Sequence, residues 1–349
     1  MPYQQHDSVR NDTLKHLQYG FFTTEEGASD GGFLINDKPT RNVNLFAKDD
    51  NPQSISNNIT RCIEEMYGPS PADLQTFFMT TSYAPEGEAN IVVINSDNLN
   101  ELAASDLPPK LSSTTEFTAA FAKHNIAVLE ADALVLANIP DRRVFLCGAS
   151  GDAHPIIIID DKNKVCAYVA GSHAGIHAHV IEQVVEQMLV QGAELDALNI
   201  IIGPGLGKRS YEFGTEATVS GTKTKMPTVD YFAGAKDCLI PVTDSAGNER
   251  YLVQLADMIR LKATDLGLSV EQVHDMEIDT MMYDLYVESE SGELTRRDGV
   301  DFEAINESWP LFFGARRRVQ EMKDDVAAEN PGLHNKAGRH LAGVGFTAT

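Results

Sequence analysis

Tryptophan occurs once in the 349 residues and cysteine four times. Cys62, Cys147, Cys166 and Cys238 are far apart and make no Cys-x-x-Cys pair, which argues against a disulfide scaffold and for a reducing compartment. Positive charge is also scarce, with 28 Lys and Arg against 51 Asp and Glu and a formal net charge of −23. A phosphate backbone or an anionic lipid surface requires a cationic partner, so broad binding of nucleic acid or membrane is excluded, while a local basic pocket for one small anion is not. No apolar run approaches the roughly 20 residues a membrane helix needs. The opening MPYQQHDSVRND is polar and carries no secretory signal, so the expectation is a soluble, cytoplasmic protein. What is present is the composition of a folded chain, 42% apolar and 23% charged, long enough to bury a core without staples.

No internal repeat or low-complexity linker divides the chain, so residues 1–349 are read as one domain, with polar insertions near 287–310 and 319–336. The first 60 residues, rich in Gly, Asn, Asp and Thr, predict short strands and turns. Ile59, Cys62, Ile63 and Met66 recur at helical spacing and predict a helix over 57–67. Segments 89–95, 133–138, 144–148, 155–160, 165–170, 198–202 and 341–346 read as strands, with a hairpin turn at 160–163. Residues 99–104 read as a loop and 114–124 as a helix. Two clearer helices are expected over 175–192 and 252–266, stopped by Gly192 and Gly267, and a solvated one over 316–336. Strands and helices mix without regular βαβ alternation, which favours an α+β fold with mixed sheets.

Three groups of residues could carry chemistry. Gly151-Asp152-Ala153-His154-Pro155 precedes a hairpin and then His173, His177 and His179. Imidazole is a common zinc and copper ligand, and His173 and His177 share a helix face if a helix already begins at His173. The plain alternative is one capping histidine and two exposed ones. Next, Gly203, Gly205 and Gly207 expose backbone N–H groups just before Lys208 and Arg209, where an anion could sit, although a strand-ending turn needs the same glycines. Last, Phe312-Phe313-Gly314-Ala315 delivers Arg316 and Arg317, suited to a bidentate phosphate or carboxylate clamp or to the first turn of a solvated helix, and Arg339 adds a cation. No Gly-x-Ser-x-Gly elbow is present.

In order, these pieces resemble the YfiH family, also called laccase-domain or multicopper polyphenol oxidase-like proteins and purine nucleoside phosphorylase-like proteins. The resemblance runs through Gly20-Phe21-Phe22-Thr23-Thr24, Asn42-Val43-Asn44-Leu45, Asp50-Asn51-Pro52 with Asn57-Asn58, and Glu130-Ala131-Asp132-Ala133-Leu134-Val135. It continues with Gly151-Asp152-Ala153-His154-Pro155, His173-Ala174-Gly175, Ile202 to Gly207 with Ser210-Tyr211-Glu212-Phe213-Gly214, Phe312 to Arg317, and Gly338-Arg339. It implies a layered α/β/β/α arrangement with mixed β-sheets, shared with the cytotoxic necrotizing factor deamidases. It also implies phosphorolysis or deamination of purine nucleosides at a site of two histidines and one cysteine that can hold zinc. Copper-dependent oxidation of polyphenols is the family's other described activity.

The chain departs from that pattern at its centre. Ala153 stands at the cysteine position, the upstream stretch 73–82 has no histidine, and Ile176-His177 replaces a Trp-Arg pair. Two expectations follow. In one, the site is rebuilt, with His173 and Asp152 catalytic, a zinc on His173, His154 and His177, and phosphate or another anion on Gly203, Gly205, Arg316, Arg317 and Arg339. In the other, the chain is a catalytically silent homologue that binds a nucleoside or a protein partner. Polyphenol oxidation fits less well without the cysteine.

Overall fold

The computed structural model describes residues 3–23, 43, 52–68, 74–82, 88–108, 121–137, 139, 142–219, 224–281, 284–289, 291–296 and 340–346. Two six-stranded mixed sheets dominate it. The first has β1 (Tyr3–Gln4), β2 (Leu17–Phe22), β3 (Leu74–Thr80), β5 (Ile126–Glu130), β7 (Arg143–Ser150) and β19 (His340–Phe346), in the order β1-β2-β19-β7-β3-β5. The second has β4 (Ile91–Ile94), β6 (Ala133–Ala137), β8 (His154–Asp160), β9 (Val165–Gly171), β10 (Asn199–Ile202) and β16 (Val273–Asp275), in the order β16-β10-β8-β9-β6-β4.

Strand periodicity sorts the side chains into layers. Ile157 and Ile159 of β8, Cys166 and Tyr168 of β9, and Val144 and Leu146 of β7 meet in one buried cluster between the sheets. Their neighbours Ile156, Ile158, Ala167 and Val169 face the helices α4 (Val180–Val190) and α6 (Leu255–Asp265). On the opposite side, Phe78, Phe145 and Cys147 pack on Ile55, Ile59, Cys62 and Ile63 of α1 (Pro52–Tyr67). The order of layers is therefore helix, sheet, sheet, helix, an α/β/β/α arrangement. Strands buried on both faces explain why β6, β8 and β9 read as continuous apolar runs rather than as alternation.

Several elements differ from the sequence expectation. Residues 99–103 form a short helix, α2 (Leu99–Ala103), because Leu99 finds the inter-sheet core. Helix α1 begins at Pro52, five residues before the apolar periodicity becomes visible, and proline is well suited to a first helical turn. The helix expected over 175–192 is two helices, α3 (His173–His177) and α4, separated by His179 in the left-handed region at φ 57°. The helix expected from 252 starts at Leu255, because Glu249–Val253 is β15, paired with β14 (Leu239–Thr243) and β11 (Glu212–Phe213). The acidic stretch from 287 opens as a hairpin of β17 (Tyr286–Glu288) and β18 (Leu294–Arg296). Residues 297–310 of that stretch, residues 114–120 of the helix expected over 114–124, and the segment 316–336 lie outside the described residues.

Candidate functional site

Helix α3 begins at His173 because the Ser172 side chain accepts the Gly175 N–H at 3.0 Å. His173 and His177 are therefore four apart on one helix. Both meet Tyr231, the last residue of α5 (Thr228–Tyr231), in different ways. His173 Nδ1 lies 3.2 Å from Tyr231 Oη. His177 Nδ1 lies 2.9 Å from the Tyr231 carbonyl oxygen, and its ring stacks on the tyrosine at 4.1 Å and 10°. A carbonyl only accepts, so His177 carries its proton on Nδ1 and a lone pair on Nε2. Burial pushes the Tyr231 hydroxyl up to about 12, so it stays protonated at neutral pH and can donate to His173.

Aromatic rings enclose His173. Phe213 stands edge-on at 5.2 Å, Tyr231 is at 5.8 Å and Tyr211 at 6.4 Å. Phe232 continues the cluster against Phe213 and Tyr231. Tyr211, Tyr231 and Phe232 are buried and form the floor, whereas His173 and Phe213 are half-buried and face outward. The strand that supplies Phe213 is anchored through its neighbour Glu212, which accepts from Tyr286 Oη at 2.7 Å and lies within 4 Å of Arg250 and Arg296.

His154 is placed elsewhere. Strand β8 pairs with β9 in unbroken register from His154 opposite Gly171 to Asp160 opposite Val165, with no bulge at Pro155, so His154 does not turn into the place of Ala153. Its ring is buried in the glycine turn, with Nδ1 2.8 Å from the Gly203 carbonyl and Nε2 3.2 Å from the Leu206 carbonyl. Both nitrogens face backbone carbonyls of the turn, so neither opens onto the side of His173 or Ala153. Asp152 is half-buried beside it and holds the turn through its own carbonyl, which accepts the Leu206 N–H at 2.9 Å.

The glycine turn faces protein rather than an anion. Gly203 N–H donates to the Pro155 carbonyl at 2.8 Å and Gly205 N–H to the Ile278 carbonyl at 3.1 Å. Glycine is required there by close approach: a Cβ at 203 would lie 2.1 Å from the Phe21 ring, and one at 205 would lie 2.5 Å from the His154 ring. Lys208 pairs with Asp257 and Arg209 with Glu288. Arg316, Arg317 and Arg339 lie outside the described residues.

Among the described residues the expected zinc set of His173, His154 and His177 is not brought together: Ala153 cannot coordinate, β3 supplies no histidine, and both His154 nitrogens face carbonyls. The sequence pointed to His173 through His-Ala-Gly, whereas Tyr211 and Phe213 stood only in a stretch resembling the family and were not expected at the site. Tyr231, 58 residues beyond His173, has no local signature, and only the fold reveals it.

No helix among the described residues is long and apolar enough to cross a membrane. No curated protein matches the sequence. The fold is similar to that of Bacillus licheniformis hypothetical protein YfiH, at 15% identity and TM-score 0.60, over 97% of this chain and 99% of that one. It is also similar to YlmD from Geobacillus stearothermophilus, at 17% identity and TM-score 0.61 over 99% of each chain. Neisseria meningitidis protein NMB0706 is similar at 13% identity and TM-score 0.58, over 99% of this chain and 100% of that one. The profile described as multi-copper polyphenol oxidoreductase laccase matches residues 18–287, most of the sequence, and the chain belongs to that family.

Proposed function

We propose that this chain binds a purine nucleoside, or a heteroaromatic molecule of the same shape, against His173 and Phe213, without the metal-centred turnover that its resemblance implies. The observation that carries the reading is the enclosure of His173 by Phe213, Tyr211 and Tyr231, with Ala153 where the resemblance implies a metal-binding cysteine. A planar base gains from stacking on aromatic rings whatever its edge pattern, and the imidazole and hydroxyl supply hydrogen bonds at the rim. Alanine offers neither a ligand nor a nucleophile.

A second reading, phosphorolysis or deamination with His173 as the acid or base, is favoured by the contact between His173 and the protonated Tyr231 hydroxyl. Oxidation of phenols by several coppers, which the family description names, asks for more histidine and cysteine ligands than the described residues bring together. Chromatography of adenosine and inosine incubated with the metal-analysed protein, with and without phosphate and added zinc, separates these readings. The expected result is nucleoside recovered intact. Free base or inosine formed in proportion to protein, and lost in His173→Ala, would establish the enzyme instead.

A further inference from the structure

A hollow of about 160 Å³ is lined by His177, His179, Asp230, Tyr231, Phe232 and Lys262 among others. Its lining brings together a carboxylate, two imidazoles and one ammonium. His177 carries its lone pair on Nε2, because Nδ1 donates to the Tyr231 carbonyl. His179 Nδ1 donates to Glu182 Oε1 at 3.0 Å. Asp230 is an exposed carboxylate with no ion pair among the described residues. The one cation, Lys262, is already neutralised by Glu182 at 3.0 Å. Burial opposes the charge on Glu182, but hydrogen bonds from His179 and Lys262 outweigh it and hold the carboxyl below its usual range. A second oxygen of Glu182 is buried with no donor. With Lys262 paired to Glu182, Asp230 is the lining carboxylate left without an ion pair among the described residues, beside the aromatic wall of Tyr231 and Phe232.

We infer that this hollow is a second binding site, for a small protonated amine. The size suits a molecule of few heavy atoms, well below the roughly 300 Å³ at which drug-sized pockets begin. The ammonium pairs with Asp230 and donates to His177 Nε2, and its carbon chain lies along the aromatic wall. The inference does not rest on the nucleoside reading, because Asp230 and the outer edge of His177 lie outside the cluster around His173.

Ethanolamine titrated into the full chain and followed by ligand-observed NMR tests it, with sodium phosphate as the opposing probe. Saturable binding in the millimolar range is expected, weakened about tenfold or more in Asp230→Asn, the scale of one charge-assisted hydrogen bond. Asp230 is exposed, so that variant is expected to melt with the wild type and to keep its affinity for adenosine. His177→Phe, which keeps a ring against Tyr231 and removes the acceptor, is expected to weaken ethanolamine as well. No saturable binding to the wild type, equal binding by Asp230→Asn, or phosphate binding that disappears in Lys262→Gln would each overturn the assignment.

Discussion

Gly203 shows how a residue that looks like part of an anion nest can be needed for packing. Its position after an apolar strand and before two cations suggested a ligand, yet its N–H is held by Pro155 and its missing side chain makes room for Phe21. Gly203→Ala would force a methyl into that fully buried ring, and overpacking of this kind costs about 1–3 kcal/mol. Urea denaturation is expected to show the loss with nucleoside affinity per folded molecule unchanged. A variant that melts like the wild type but binds less anion would restore the nest reading. His154 and His173 illustrate the same limit. Both stand in motifs that look alike in sequence, and only the register of β8 against β9 and the start of α3 at Ser172 tell the buried structural histidine from the half-buried candidate.

At the scale of elements, the strands buried on both faces were legible because residues 133–137, 154–160 and 165–171 are nearly unbroken apolar runs. Strand β3, Leu74–Thr80, is as deeply buried, but Gln75, Thr76 and Thr80 interrupt its apolar run and hide it in the sequence. The break between α3 and α4 was not legible, because His179 adopts the left-handed conformation without being a glycine. The hairpin joining β14 to β15, which braces the strand carrying Phe213, is held by Asp244. Its carboxylate accepts from the backbone of Asn248 and Ala246, the Asn248 side chain and Arg250 Nε. Those bonds hold the carboxyl at about 2, below its ordinary 3.8. A depressed carboxyl stabilises the folded state above its unfolded value and loses that contribution as pH falls through its folded value. Melting curves of wild type and Asp244→Asn are therefore expected to be furthest apart above pH 3.8 and to converge toward pH 2. A gap independent of pH would mean that the carboxylate's charge plays no part.

Across the whole molecule, the order of strands was beyond reach of the sequence. The C-terminal strand β19 lies inside the first sheet between β2 and β7, a pairing set by contacts about 190 to 330 residues apart in the chain. The family resemblance supplied the layers instead, and the packing of the two sheets bears it out. The net charge of −23 does not determine this fold, but it strains it through self-repulsion. Raising the salt from about 0.1 M to about 1 M shortens the screening length from about 10 Å to about 3 Å. The melting temperature is expected to rise over that range; a flat or falling response would show that local ion pairs dominate the excess of carboxylates.

The central claim is that His173 and its aromatic surround bind a nucleoside without a metal. Calorimetric titration of adenosine into chelator-treated protein, beside His173→Ala and Phe213→Ala, tests it most directly. Saturable binding to the metal-free wild type is predicted, with each variant about tenfold weaker or more, the size of one lost stacking partner. Binding that appears only after zinc is restored, or that both variants retain in full, would contradict it.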